Sequence, residues 1–185
     1  IITKVKTLAL FDFDGTITSE DTLFEIARFS TSRSSYLGNI FRLLPVFGVA
    51  YLGLLSKQRA KELFLKRFFG TLSEKMFNKR CEEFASKQLP LLIRSQAIKE
   101  IQSIQNPETK IWIVSASPEN WIKPWAEKMG MEVIATQLKF EDDQLKGIAG
   151  QNCNGQEKVC RIKQQINLEE YKKVIAYGDS KGDLP

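Results

Sequence analysis

Acidic and hydroxyl-bearing residues follow three apolar segments of the sequence. Asp12 and Asp14 lie in LALFDFDGTIT, Ser115 and Ser117 lie near the end of KIWIVSAS, and Asp179 and Asp183 lie in YGDSKGD. Carboxylates gathered at one site repel one another unless a cation joins them. Hard oxygen ligands without histidine or cysteine favour Mg²⁺. If the three segments meet, these residues therefore predict a magnesium site.

A lysine completes the set in a way that favours phosphate chemistry. Lys158 falls in the first turn of a helix predicted from NGQEKVCRIKQQI. A lysine at a helix start opposes the helix dipole, so an anionic partner would account for it; the alternative is a solvated lysine on an exposed face. Phosphoryl transfer depends mostly on positioning and charge neutralisation. One carboxylate would attack phosphorus, and a second would protonate the leaving oxygen and then activate water.

The composition excludes several other kinds of catalysis. The 185 residues contain no histidine, which removes Ser-His-Asp and Cys-His triads and His-ligated zinc sites. Cys81, Cys153 and Cys160 are scattered without a CxxC motif, so we expect three packing residues in a reduced, cytoplasmic protein. The net charge of +5 would attract anions. No nucleic-acid motif accompanies it, and we expect no nucleic-acid partner.

Alternating strands and helices must position the polar residues. The apolar runs at 5–11, 110–117 and 171–180 predict parallel strands covered on both faces. Helical segments between them indicate an α/β fold with a mostly parallel sheet. Ligands of such sheets bind beyond the carboxyl ends of the strands. Asp and Ser after a strand also cap helices, but three such strand ends in one sheet favour a shared site.

Residues 20–105 separate the first strand from the second, which is too long for one crossover and predicts an inserted helical unit. EDTLFEIARFS, SKQRAKELFLKRFFG and LSEKMFNKRCEEFASKQL have the spacing of amphipathic helices, and PLLIRSQAIKEIQSI leads back to the sheet. After the second strand, the alternation in VIATQLKFE and a turn at 142–144 predict a β-hairpin.

The segment 36–55 is 20 residues long and mostly apolar. Its length approaches a bilayer span, whereas Asn39, Arg42 and Pro45 disfavour a simple span. Helices packed within the insertion, a helix lying on a membrane and a helix crossing one remain open. On a membrane, Arg42 and Lys57 would lie at the headgroups. The residues expected to contact lipid in that case are Phe41, Leu43, Leu44, Val46 and Phe47.

Four motifs, in order, resemble those of the haloacid dehalogenase superfamily. DFDGTIT is similar to its DxDGT signature, IVSAS to its strand ending in serine, Lys158 to its motif lysine and YGDSKGD to its GDSxxD motif. The resemblance is to the phosphoserine phosphatase-like branch. It implies a Rossmann-like core of residues 1–19 and 106–185, incomplete at its C-terminal end, with an α-helical cap at 20–105.

The resemblance also implies catalytic and metal-binding roles. Asp12 would be the nucleophile and Asp14 the acid/base. Asp12, the backbone carbonyl of Asp14, and Asp179 would bind Mg²⁺, with Asp183 in support.

Substrate contacts follow from the same resemblance. Gly15, Ser115 and Lys158 would contact the phosphoryl group. The cap residues implied in binding the rest of the substrate are Asp21 and either Arg67 or Arg59.

The activity implied is that of a Mg²⁺-dependent phosphatase acting on a phosphate monoester through an aspartyl-phosphate. The apolar segment 36–55 resembles phosphatidylglycerophosphatase C of the same superfamily. A lipid phosphate at the membrane surface therefore stands as the alternative to a phosphorylated small molecule, with membrane association of a cytoplasmic protein. The non-catalytic alternatives are a phospho-accepting receiver domain, which lacks both the DxD pair and a large insertion, and an anion-binding module.

Overall fold

A computed structural model of the protein describes residues 7–179. The predicted site residue Asp183 lies outside this range, as do the first two residues of the strand predicted at 5–11. Within the range, the chain forms six strands and eight α-helices.

Four parallel strands form the central sheet in the order β3-β2-β1-β6. Their bounds are β1 Thr7–Phe11, β2 Thr109–Pro118, β3 Glu132–Thr136 and β6 Lys173–Tyr177. Leu8, Ala9 and Phe11 of the inner strand β1 are buried, which explains its almost unbroken apolar run. The predicted α/β fold with a parallel core is confirmed.

The alternating stretch after β2 divides differently from the prediction. Its first part, β3, pairs with β2 in the parallel sheet. The antiparallel hairpin comprises only β4 (Leu138–Glu141) and β5 (Gln144–Ile148). Its turn lies where predicted: Asp142 and Asp143 have φ of 50° and 60°, as the left-handed turns of tight hairpins require. The alternation of apolar and polar residues did not separate β3 from β4, because only Gln137 lies between the two strands.

Six helices lie between β1 and β2. Their bounds are α1 Thr22–Ser30, α2 Arg33–Tyr51, α3 Lys57–Phe69, α4 Glu74–Lys87, α5 Leu89–Leu92 and α6 Ser95–Ile104. The first four begin at side chains that accept a backbone N–H, namely Asp21, Ser32, Ser56 and Ser73. Phenylalanines fill much of the interior between these helices.

The chain leaves the sheet and returns to it at one narrow place. Thr18 forms an antiparallel bridge with Ile93, and Arg94 N–H donates to the Ile17 carbonyl at 2.9 Å. Helix α6 follows this neck, and its Glu100 accepts a hydrogen bond from Tyr177 of β6 at 2.8 Å. The division at residues 19 and 105 remains a prediction, and this bond favours assigning α6 to the sheet layer.

Most of segment 36–55 forms the single helix α2, with Pro45 inside it. Among residues 7–179, no helix has both the length and the apolarity to cross a bilayer. The prediction of its lipid-facing residues is partly wrong. Leu43 is buried, and Val46 and Phe47 pack against the core, whereas Phe41 and Leu44 are exposed.

Two helices follow β2: α7 (Glu119–Ala126), and α8 (Gln156–Gln165), which begins where the sequence predicted it. Cys81 and Cys153 are buried as expected of packing residues. Cys160 lies exposed on α8, so the packing prediction is wrong for this cysteine.

Candidate active site

The register of the sheet brings the predicted residues to one edge. Phe11 of β1 is aligned with Ile113 of β2 and with Tyr177 of β6. Asp12 follows this row by one position, and Ser115 and Asp179 follow it by two. Because the strands are parallel, all three residues lie at their carboxyl ends, where ligands bind in such sheets.

Asp12 and Lys158 form a buried ion pair. Lys158 Nζ lies 2.6 Å from Asp12 Oδ1, and the two side chains are 7% and 12% exposed. The first turn of α8 therefore directs the lysine at the end of β1, and the alternative of a solvated lysine is wrong. Each charge offsets much of the cost of burying the other.

The Asp14 carboxylate is held by hydrogen bonds to both oxygens. Thr22 donates to Oδ1 from its backbone N–H at 2.7 Å and from Oγ1 at 2.6 Å. Ser117 Oγ donates to Oδ2 at 2.6 Å, and Trp121 Nε1 orients Thr22 by donating to Oγ1 at 3.0 Å. Of these three partners, only Ser117 carries a signal in the sequence, as the second hydroxyl at the end of KIWIVSAS; no local pattern shows that it holds Asp14.

Gly15 allows the Asp179 carboxylate to approach the loop after β1. Its φ is 82°, and a Cβ atom there would overlap Asp179 Oδ2. Asp179 therefore lies directly beside the loop that follows Asp12.

The donors at this edge fit Mg²⁺, which is usually bound by one or two carboxylates, water and substrate phosphate. Asp12, Asp179 and the carbonyl of Asp14 would supply an all-oxygen set. Among residues 7–179, no group of three or more acidic or cysteine side chains lies close enough together to hold a metal ion, and this includes the sheet edge itself. Water and the substrate would therefore complete the coordination.

Ser115 is fully buried at the end of β2. Its Oγ accepts the N–H of Ser117 at 3.0 Å. This bond uses a lone pair and orients the hydroxyl, whose proton can be donated to an anion at the strand ends.

A lysine of the inserted helices contacts the strand ends. Lys61 Nζ on α3 donates to the Ala116 carbonyl at 2.5 Å and to Asn152 Oδ1 at 3.1 Å. Burial lowers the pKa of Lys61 to about 8, although Asp14 and Asp21 act in the opposite direction. No local pattern in the sequence separates Lys61 from the neighbouring cations of α3, so Lys61 was not predicted as a site residue.

The two arginines considered for the cap lie elsewhere on α3. Arg67 is exposed and donates from Nε to Asn39 of α2 at 2.8 Å. Arg59 pairs with Glu62 at 3.0 Å. The structure thus brings Lys61, rather than either arginine, to the strand ends.

Asp21 begins α1 by accepting the Leu23 N–H at 2.9 Å. Desolvation and then repulsion from Asp14 raise the pKa of Asp21 to about 6. The folded protein therefore retains a proton that the unfolded chain, with the ordinary pKa of 3.8, releases. Stability contributed by this group is present at low pH and falls as the pH rises towards 6.

At pH values above about 6, replacing Asp21 by Asn is expected to raise the thermal midpoint. Asn keeps the helix cap and has no carboxylate whose ionisation the folded state disfavours. The difference from the unmodified protein should shrink towards about pH 4. Thermal unfolding in EDTA across this range measures it, with Asp142→Asn in the hairpin turn as control. If Asp21→Asn instead makes the protein less stable at neutral pH, the raised pKa of Asp21 is contradicted.

Comparison with known proteins gives a consistent set of relatives. The model of the family described as haloacid dehalogenase-like hydrolase matches residues 9–185. Protein CicA of Caulobacter vibrioides is 29% identical over 179 residues, which cover 95% of this chain and 79% of that protein.

Three solved structures with the same fold are a protein of unknown function, a phosphoserine phosphohydrolase-like protein and a phosphoserine phosphatase. A protein of unknown function from Bordetella pertussis Tohama I matches with a TM-score of 0.81 and 22% identity, covering 97% of this chain and 85% of that one. A phosphoserine phosphohydrolase-like protein from Francisella tularensis matches with a TM-score of 0.65 and 20% identity, covering 97% of this chain and 80% of that one. A substrate-bound phosphoserine phosphatase matches with a TM-score of 0.60 and 22% identity, again covering 97% of this chain and 80% of that one. At these identities, the likeness establishes a shared fold.

Proposed function

The chain belongs to the haloacid dehalogenase-like hydrolase family, and from this premise we propose that it is a Mg²⁺-dependent phosphatase of phosphate monoesters. The observation that carries the proposal is the buried Asp12–Lys158 pair, 2.6 Å apart, at the sheet edge that also holds Ser115 and Asp179. A nucleophile beside a fixed positive charge suits attack on an anionic phosphoryl group.

In the proposed reaction, a carboxylate oxygen of Asp12 bonds to phosphorus as the bond to the leaving oxygen breaks. Asp14 gives its proton to that oxygen, then takes one from the water that attacks the aspartyl-phosphate and releases phosphate. Lys158 and Ser115 hold phosphoryl oxygens. Mg²⁺, held by Asp12, Asp179 and the carbonyl of Asp14, would neutralise developing charge. Asp183 is proposed to support it.

For the part of the substrate beyond the phosphate, we assign Lys61 in place of Arg67. Its ammonium group reaches the Ala116 carbonyl, beside Ser115. Asp21 lies close enough to Asp14 and Lys61 to interact with both charges. This pair offers a cationic and an anionic contact for a polar phosphorylated small molecule. A lipid phosphate is the second candidate, favoured by the exposed apolar residues of α2.

Hydrolysis of an aryl phosphate with and without Mg²⁺ tests the activity. We expect many turnovers per protein molecule with the metal and none beyond background without it. A receiver domain would instead take up one phosphoryl group per molecule, and an anion-binding module would release no phenol. Either result contradicts the proposal.

Lys158→Ala is expected to lower kcat about a hundredfold or more, by analogy with loss of one electrostatic donor. Lys158→Arg should restore little of the lost kcat, because the planar guanidinium group of arginine differs in shape from the compact ammonium group of lysine. Lys163→Ala, at an exposed position of the same helix, is the matched control. Circular dichroism verifies folding, and an unchanged kcat in folded Lys158→Ala removes this residue from the mechanism.

A further inference from the structure

Helix α2 presents an apolar stripe to solvent. Leu37, Phe41, Leu44, Gly48 and Tyr51 recur at intervals of four and three residues, so they line one side of the helix. We call these five residues the outer stripe. Its large side chains are 57%, 74%, 52% and 92% exposed at Leu37, Phe41, Leu44 and Tyr51. Contiguous exposed apolar surface of this kind marks an interaction site.

A second, adjacent stripe already attaches α2 to the protein. Tyr36, Ile40, Leu43 and Phe47 have the same spacing and pack against the core. We call these four residues the inner stripe. The Tyr36 ring lies 5.7 Å from that of Phe68. Packing of α2 is therefore satisfied by the inner stripe, and the outer stripe is not needed to hold the helix in place.

The apolar surface continues into the turn between α2 and α3. Leu52 and Leu54 are 69% and 77% exposed. Gln58, in the first turn of α3, donates to the Gly150 carbonyl at 3.0 Å, and Lys61, one turn later, donates to Ala116. Lys61, which contacts the strand ends, therefore follows the last exposed leucine of this surface by seven residues.

The charges along this part of the chain have one sign. Residues 26–61 contain no Asp or Glu, although 22 of the 185 residues are acidic, about one in eight. The cations in the same range are Arg28, Arg33, Arg42, Lys57, Arg59 and Lys61. Arg33, Arg42 and Lys57 are exposed and lie before, within and after the apolar surface. An occupant of this surface must be both apolar and anionic.

We propose that α2 and the turn after it dock on an anionic lipid membrane. The helix lies in the plane of the interface with Leu37, Phe41 and Leu44 of the outer stripe among the acyl chains. Arg33, Arg42 and Lys57 contact anionic headgroups, and Tyr51 lies at the headgroup level, which aromatic residues with a polar tip favour. The inference is independent of the proposed catalysis.

Sedimentation with vesicles tests the proposal. The full chain is expected to sediment with phosphatidylcholine vesicles that contain phosphatidylglycerol, and to remain in the supernatant with phosphatidylcholine alone or at high salt. The double variant Phe41→Ser, Leu44→Ser should bind at least about tenfold more weakly, because apolar burial supplies much of the affinity. Met76→Ser with Leu91→Ser, exposed apolar positions on other helices, is the matched control and should bind as the unmodified protein does.

Other outcomes overturn the proposal. A protein that stays in the supernatant with anionic vesicles at low salt does not dock on membranes. Equal binding by the two double variants would assign any membrane contact to a surface other than α2. Gel filtration addresses a second copy as the occupant: a dimer that Phe41→Ser, Leu44→Ser converts to a monomer, together with no vesicle binding, makes the stripe a dimer interface. Aryl phosphate turnover of the stripe variant should match that of the control, which shows that its site is intact.

Discussion

Asp12→Asn is expected to lower turnover of an aryl phosphate by about ten-thousandfold or more, the scale on which enzymes lose activity with their nucleophile. A neutral amide oxygen cannot attack phosphorus as a carboxylate does. Single-turnover quench with a ³²P-labelled substrate should trap a phosphoryl group on the unmodified protein and none on the variant.

The environment of Asp12 also decides what this substitution does to stability. From the sequence alone, Asp12 and Asp14 are two neighbouring carboxylates that repel each other, so neutralising one of them would stabilise the fold. In the structure, Asp12 pairs with buried Lys158 at 2.6 Å, and Asp14 accepts bonds from Thr22 and Ser117. Asn keeps an acceptor oxygen for Lys158 but removes the negative charge that lies 2.6 Å from the buried ammonium group. We therefore expect a folded variant with a lower thermal midpoint.

Asp142→Asn makes the same chemical change in the turn of the hairpin β4–β5 and should leave turnover unaltered. Asn is well suited to the left-handed conformation there, with φ of 50°. Far-UV circular dichroism and thermal unfolding of both variants separate loss of chemistry from loss of fold. Near-normal hydrolysis by a folded Asp12→Asn protein contradicts the nucleophile assignment.

The residues predicted correctly at the sheet edge are those whose position follows from local patterns. A buried parallel strand produces an apolar run that ends abruptly, and the next polar residue must lie at the carboxyl edge. Asp12 and Ser115 were predicted at the sheet edge for this reason. For Lys158, helix polarity left a solvated lysine open, and the resemblance to the motif lysine of the family implied its place in the site.

The residues that were missed depend on contacts between distant parts of the chain. Lys61 and Ala116 are 55 positions apart, and Trp121 and Thr22 are 99 positions apart. Which cation of α3 points to the sheet is set by how the helix rotates against its neighbours. Lys61 and Arg67 lie six residues apart, or about 120° around a helix, so at most one of them faces the strand ends.

The inner and outer stripes of α2 show a related limit of the sequence. Phe41 and Phe47 are equally apolar, and both stripes have helical spacing. Only packing against α3, where Phe47 lies 6.4 Å from Phe64 between ring centres, distinguishes them. The sequence therefore predicted an apolar helix here but could not assign its buried side.

Removing divalent cations with EDTA is expected to lower turnover to background, and excess Mg²⁺ should restore it. The physical reason is that Asp12 and the phosphate are both anionic, and Lys158 alone leaves net negative charge where they meet. Ca²⁺ should bind without supporting turnover, since its looser and larger coordination shell misplaces the reacting oxygens.

Asp179→Asn should raise the Mg²⁺ concentration needed for half-maximal turnover, because a charged ligand beside Gly15 becomes a neutral one. Metal bound by the folded state alone raises the thermal midpoint, which gives a readout that needs no substrate. The midpoint of the unmodified protein and of Asp142→Asn should rise with Mg²⁺, and that of Asp179→Asn should rise less at the same concentration. Turnover that persists in EDTA would show that the carboxylates at the sheet edge serve the reaction without a metal. Equal Mg²⁺ shifts in all three proteins would place the ion away from Asp179.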